Sequence, residues 1–466
     1  MNIKKIITGL TLLLLLGNGV AVAADIEKVE TLSAKDKTSL GNKYRYGIGV
    51  EKDYEKSTKW FTMAAEEGDV TAQKMLASIF LYGKFYTRNT DAAIKWYTIA
   101  AEGGDMFSQS QLGYMYFTGF GGGYSFPVNK KKAIRYYTKA AEQGHVESQH
   151  KLGDIYNFGL SVPENNKTAV IWYTKAAEQG HVDSQFSLGY LYFDGSGIPT
   201  NKQKSVKWYT KAAEQGDIWS QINLGDIYDN GYGVPENDKT AVIWYTKAAE
   251  QGSSSALNDL GVMHARAEEY KTAVMWYTKA AEQGDSEAQT NLGLMYENGS
   301  GVPKNLKKAV MWYTKAAEQG WPPGQTNLGT MYQFGMGVPE NSKTAVMWFM
   351  KAAEKRWPRP QYKLGVMYAL GKGVPQNDKT AVMWYTKAAG QGYASAQVNL
   401  GFMYQHGMGT LTDTKRAYMW YNIAASNSSD LGAENKSKVA KNMTPTQIDK
   451  AQDMSSRCLA SNYKDC

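Results

Sequence analysis

The segment KTAVIWYTKAAEQG at Lys167 to Gly180 returns almost unchanged from Lys239, Lys271, Lys307, Lys343 and Lys379, so the chain is one small unit copied many times. Its tryptophan recurs as Trp60, Trp96, Trp172, Trp208, Trp244, Trp276, Trp312, Trp348, Trp384 and Trp420, with Tyr136 standing in once. The spacing is 36 residues except for one gap of 40 and one of 32. Such periods belong to solenoids, in which each unit buries its apolar face only against its neighbours.

One unit runs from Ser148 to Gly180. Leu152, Ile155 and Tyr156 fall at i, i+3 and i+4, the stripe of a first helix. Gly159 and Pro163, elsewhere the fuller Gly-x-Gly-Val-Pro of Gly231 to Pro235, end that helix and force a turn. Asn165 recurs as Asn129, Asn201, Asn237, Asn305, Asn341 and Asn377, placed to cap a second helix. That helix is predicted over Thr168 to Gln179, with Ala169, Trp172, Tyr173 and Ala176 on its inner face. The recurring first-helix leucine, from Leu40 to Leu400, counts eleven hairpins over 34–425. Both irregular gaps fall in turns, at Gly121 to Phe126 and between His264 and Tyr270. The tryptophan ladder reads as filling between hairpins. Beyond Ser426, residues 426–466 read as a helical cap, with Thr444-Pro445 opening a closing helix to Leu459.

The pattern Ala-x-x-x-Leu-Gly-x-x-Tyr-x-x-Gly-x-Gly-Val-Pro-x-Asn-x-x-x-Ala-x-x-Trp-Tyr-x-Lys-Ala-Ala-Glu-x-Gly, nearly complete over Ser286 to Gly320, resembles the Sel1-like repeat, a relative of the tetratricopeptide repeat. The resemblance implies an all-α, right-handed superhelical solenoid of helix hairpins with a concave binding surface. It implies an adaptor, as in membrane-associated degradation, bacterial signalling and host contact. The Thr-Pro tail is similar to that of exported enterobacterial members.

The first residues carry Lys4 and Lys5, an apolar run from Ile6 to Leu16 and the small residues Ala21-Val22-Ala23. Residues 1–23 therefore read as a secretory signal peptide, cut after Ala23, with 24–33 as a short lead. The expected destination is the periplasm, the cell surface or the medium, with no membrane-spanning segment in the mature chain. Cys458 and Cys466, the only cysteines, are expected to pair there as a staple on the last segment.

The 52 basic and 44 acidic residues give +8, which becomes +6 without Lys4 and Lys5. The excess is spread evenly, with Lys175 and Glu178 of each unit sharing a helix face. Nucleic-acid tracks cluster their basic residues, so nucleic acid is not an expected partner.

Catalysis is not expected either. Some family members are β-lactamase-like, but they carry a cysteine pair in each repeat, and Ser-x-x-Lys matches here by spacing only, without Ser-Asp-Asn or Lys-Thr-Gly. The five histidines show no metal spacing, and His145 and His181 occupy a helix-start position suited to capping. The glycine-rich turns lack the lysine and preceding strand of a phosphate loop. No cofactor is implied. Besides the enzyme, a peptidoglycan-binding or cell-wall regulatory role stands as an alternative.

What remains is protein recognition. On a helical wheel the positions two before, two after and five after the first-helix leucine lie opposite the core, and they vary between units. The candidate contacts there are Tyr114, Phe117, Asp154, Phe186, Tyr190, Phe193, Asp226 and Asp229, with the aromatics as anchors. A second candidate is the ladder Trp321, Trp357 and Tyr393, one residue beyond the helix stop in three successive units. Packing between repeats is the competing role for both sets.

Overall fold

The computed structural model describes residues 31–83, 89–121, 124–125, 127–464 and 466. The expected signal peptide at 1–23 and most of the 24–33 lead lie outside them. The described residues form 24 helices and one two-rung antiparallel ladder, Phe120–Gly121 with Tyr124–Ser125, inside the lengthened turn. The chain divides at Pro235 into two compact units.

Unit 1 holds five complete hairpins, beginning with Ala34–Tyr46 and Tyr54–Glu66 and ending with Val182–Asp194 and Lys202–Glu214, and then the single helix Ile218–Asn230. Unit 2 opens on the helix Asp238–Glu250. Five hairpins follow, from Ser254–Arg266 with Tyr270–Glu282 to Ala394–His406 with Thr414–Ser426. Two closing helices, Asp430–Ala440 and Pro445–Ala460, complete it.

Local chemistry sets these boundaries. Asn129, Asn165, Asn201, Asn237, Asn305, Asn341 and Asn377 all cap second helices, Asn165 accepting from the Thr168 N–H at 3.0 Å. His145 and His181 cap first helices through Nδ1, which accepts from the Ser148 and Ser184 amides. Thr444 and Gln447 form a capping box ahead of the closing helix, with Pro445 at its first turn.

The Gly-x-Gly of the turn has two separate duties. Gly371 ends its helix at φ 65°, while Gly373, at φ 74°, passes so near the preceding hairpin that a Cβ would stand 2.3 Å from the Ser342 carbonyl oxygen. The turn therefore clamps one hairpin onto the last. Between His264 and Tyr270, where the glycines are missing, Glu268 takes φ 59° and Glu269 precedes its helix without a side-chain cap.

The core of most hairpins is a ring set on a glycine, with Ala77 in its place against Tyr97. The first-helix glycine after the leucine faces the second-helix aromatic, and the pairs repeat as Gly113 with Tyr137, Gly153 with Tyr173, Gly293 with Tyr313 and Gly365 with Tyr385. These tyrosines are buried, Tyr173 and Tyr313 completely. The alanines beside them, such as Ala169, Ala176 and Ala177, are buried with them. The tryptophan before each tyrosine fills the joint between hairpins, as expected: Trp208 and Trp312 are buried, Trp208 against Ala169, Tyr173 and Ala177 of the preceding hairpin, while Trp172, Trp244, Trp276, Trp348 and Trp384 keep one side half-exposed. One step of 100° along the helix carries the larger ring from the hairpin interior to its flank. There the lysine three residues on covers it, Lys175 at 4.4 Å from the Trp172 centroid and Lys315 at 4.2 Å from that of Trp312. That lysine was read as the partner of the following glutamate; its ammonium lies instead on the indole face, a cation–π contact.

Candidate interaction surface

The first-helix positions that vary between units surround the hydroxyl of the buried tyrosine. Tyr173 donates to Asp154 Oδ1 at 2.9 Å, Tyr313 to Glu297 at 2.6 Å and Tyr421 to Gln405 at 2.8 Å, while Ser78 meets the Tyr97 hydroxyl at 3.0 Å. Burial first, and then the neighbouring carboxylate, push the Tyr173 hydroxyl far above its usual range. Asp154 is thus engaged within its own hairpin, and its second oxygen lies 3.3 Å from Lys151.

Tyr114 and Tyr190 stand out from this layer, 49% and 51% exposed. Phe117 and Phe193 are half-buried, and each lies beneath a lysine from the following helix, Lys130 at 3.5 Å and Lys202 at 3.2 Å from the ring centroid. Those lysines also donate to the Phe117 and Phe193 carbonyls, so each cation is held in place. Phe193 meets Tyr232 edge-on at 5.9 Å, and Phe186 packs tilted on Tyr209 at 5.8 Å. Asp226 and Asp229 are half-buried on the helix that ends unit 1. Unit 1 thereby presents Tyr114, Asp154, Tyr190 and Asp226 in equivalent positions of four successive first helices, aromatic and acid alternating.

The row two before the leucine behaves differently from its expected outward position. Ser110, His150, Asn258, Thr290, Thr326 and Val398 are buried. Neighbouring first helices meet along this row: His150 Nδ1 lies 3.0 Å from Ser184 Oγ, and Asn291 donates to Asn258 at 3.0 Å. In the row two after the leucine, Tyr114, Tyr190 and Phe402 are exposed, with Phe117 and Phe193 half-buried beside the first two.

In unit 2, Trp321 and Trp357 meet edge-to-face at 6.4 Å, whereas Tyr393 packs onto Tyr362 at 5.3 Å. Trp357 remains 42% exposed. Trp321, Trp357 and Tyr393 each precede their helix without a side-chain cap, and Pro322 and Pro358 open the first turns. Packing and partial exposure therefore coexist in the ladder.

Two arrangements carried no signal that the sequence reading used. A buried glutamine recurs in the first helices, and its amide donates to the carbonyl that ends the preceding second helix, Gln149 to Ala141 at 2.9 Å. Its oxygen accepts from the residue that follows the second helix of its own hairpin, Gln179 to Gln149 at 2.8 Å, and the relay repeats at Gln185 and Gln361. The recurrence of Gln109, Gln149, Gln185 and Gln221 was the available clue. The second arrangement joins His150 to His181 of the following hairpin, with ring centroids 4.5 Å apart. His150 Nε2 lies 3.5 Å from Asp154 and His181 Nε2 3.4 Å from Glu147. Burial holds His150 below the usual histidine range, against the pull of Asp154. Ser184 beside them is fully buried, so this Asp–His–Ser proximity offers no route for substrate. Among the described residues no group of His, Cys, Asp and Glu is placed to hold a metal ion.

At the C-terminus Cys458 and Cys466 are joined as a disulfide, with Cα atoms 4.8 Å apart. No helix among the described residues is long and apolar enough to cross a membrane.

The Sel1 repeat family model matches eleven times in succession, from residues 38–69 to 394–429, one match for each hairpin expected from the leucine count. The chain is a Sel1 repeat protein. Its repeated hairpins are those of the Sel1 solenoid, whose fold is a scaffold for protein interaction. This Sel1 repeat protein is similar to a protective antigen present in uropathogenic Escherichia coli strains, which displays an SLR fold. The two are 36% identical over 96% of each chain, with a TM-score of 0.68. A Sel1 repeat protein from Oxalobacter formigenes is 34% identical over 65% of this chain and 88% of that one, with a TM-score of 0.53. No curated protein matches in sequence.

Proposed function

We propose that this Sel1 repeat protein is an exported, non-enzymatic scaffold that binds other proteins across the first-helix face of unit 1. It would act as a periplasmic adaptor or as a surface or secreted factor in host contact. The observation that carries the reading is the pair Tyr114 and Tyr190, half-exposed on an otherwise packed frame, with Phe117, Phe186 and Phe193 at their margin and Asp154, Asp226 and Asp229 in register with them. Large rings held by neighbouring packing lose little freedom on binding, which is why such residues anchor interfaces. Support for export comes from the leader-like segment ending at Ala23 and from the cysteine pair at the C-terminus. The antigen to which the chain is similar makes a surface or secreted role the favoured destination. The ladder of Trp321, Trp357 and Tyr393 offers a smaller, secondary contact in unit 2.

A photo-crosslinking residue placed at 114 or at 190, in the full chain expressed in a bacterial host, tests the reading. Discrete cross-linked partners at both positions, and none from a cross-linker at 171 on the second-helix side of the same unit, are the expected result. Equal labelling at all three positions, or at none, would remove the support for this face. Fractionation of the same cells reports the destination, and uncleaved protein retained in the cytoplasm would overturn the export reading.

A further inference from the structure

The position just before the second-helix tryptophan separates the two units. In unit 1 it is Lys59, Lys95, Arg135, Ile171 and Lys207, whereas in unit 2 it is apolar in every hairpin: Ile243, Met275, Met311, Met347, Met383 and Met419. The first five of these six are 43% to 54% exposed. Folding does not require an apolar residue there, since unit 1 builds the same hairpins with lysine and arginine at that position. A single exposed apolar residue is ordinary, but an isoleucine and four methionines in equivalent positions of successive second helices make a stripe. Methionine is also the side chain that adapts best to varied apolar partners.

The sixth member shows what such a position accepts. Met419 is 1% exposed because the closing helix Pro445–Ala460 lies on it. That helix buries Ala451, Ser455 and Cys458 along one stripe, Met454 packs beside them, and Ser455 Oγ donates to the Met419 carbonyl at 3.4 Å. Cys458 and Tyr463 join the cluster around Trp420.

We propose that the stripe Ile243, Met275, Met311, Met347 and Met383 docks an amphipathic helix of a partner protein, whose buried stripe is small and apolar like that of the closing helix. The surface continues an interface that the chain already makes with its own last helix, in the helix-in-groove mode of recognition. It lies in unit 2 and on second helices, and so is independent of the first-helix face proposed above.

The probe is a fluorescein-labelled synthetic peptide of residues 444–462, carrying Cys458→Ser, added to the full-length protein and followed by fluorescence anisotropy. Saturable binding is expected, weakened at least about ten-fold, or about 1.4 kcal/mol, by the double variant Met311→Glu/Met347→Glu. Met311→Lys/Met347→Lys, which installs the charge unit 1 carries at this position, should act alike with an unchanged melting temperature. Tyr114→Ser/Tyr190→Ser should leave peptide binding intact, which separates this proposal from the first. Absence of saturable binding, or equal binding by the glutamate variant, overturns it. So does a wild-type dimer in sedimentation that the same variant turns into monomer, since the face would then belong to a second copy.

Discussion

The ring of Tyr173 rests on the backbone of Gly153 so closely that a Cβ at residue 153 would meet Tyr173 Cδ1 at 2.4 Å. This contact is the repeating core of the hairpin. Replacing Gly153 by alanine should cost about 1–3 kcal/mol through overpacking, and Tyr173→Ala about 3–5 kcal/mol through loss of a buried ring. Trp172→Ala, by contrast, should cost less than half as much as Tyr173→Ala, because its indole is half in water under Lys175. Urea unfolding of the three variants ranks them, and an equal loss at Trp172 and Tyr173 would refute the assignment of the hairpin core to tyrosine.

Glu268 offers the opposite experiment. It holds φ 59° at a turn position that most other turns fill with glycine, a conformation that disfavours side chains bearing a Cβ. Glu268→Gly is expected to stabilise unit 2 by about 1 kcal/mol, read as a rise in the urea midpoint, while Asn165→Ala should lower stability by about 1 kcal/mol through loss of a cap.

Acidification should weaken unit 1 through His150. The ring is buried against Ser184 and His181 of the next hairpin, with Asp154 and Lys151 on its own helix and Glu147 nearby, and burial depresses its pKa. A depressed folded-state value means that the unfolded chain takes up the proton first. The His150 contribution to stability is therefore fully present above the unfolded value of about 6.5 and is lost as pH falls through the folded one. His150→Asn should flatten the difference in stability between pH 7.5 and pH 5, and an unchanged slope would assign the effect elsewhere.

At the alkaline end the buried tyrosines set the limit. Burial pushes Tyr277, Tyr385 and Tyr421 up to about 12, above the unfolded value of about 10. Their stabilisation is present below pH 10 and disappears as pH rises through 12, so phenolate absorbance at 295 nm should grow together with loss of helical dichroism. Ionisation of all tyrosines while the helices persist would contradict their burial.

The hairpins were legible because their signals are local. Asn165 and Thr168 are three residues apart, and the Leu-Gly pair, the turn glycines and the cap at Thr444 each act within one turn of chain. Relations between neighbouring hairpins were harder to read. His150 and His181 touch across 31 positions, and the wheel that set the Ser110-to-Val398 row outward considered one helix alone, without the neighbouring first helix that covers the row. The tryptophan and the tyrosine beside it repeat equally faithfully, and only packing divides their roles, the tyrosine inside its own hairpin and the tryptophan against the preceding one. The proposed recognition face is visible in part, since exposure at Tyr114 and Tyr190 follows from the wheel, whereas the lysines over Phe117 and Phe193 come from the following helix.

The glutamine relay bears on how such a chain can change over generations. Each link between hairpins sets a first-helix glutamine amide on the carbonyl near the end of the preceding second helix, so a copy of about 36 residues removed or inserted in register rebuilds the same seam wherever that glutamine is kept. The near-identical second-helix segments supply the sequence matches at which such exchanges occur. Length and surface lettering are therefore free to drift by unequal crossover, while the rule for joining one piece to the next stays the same.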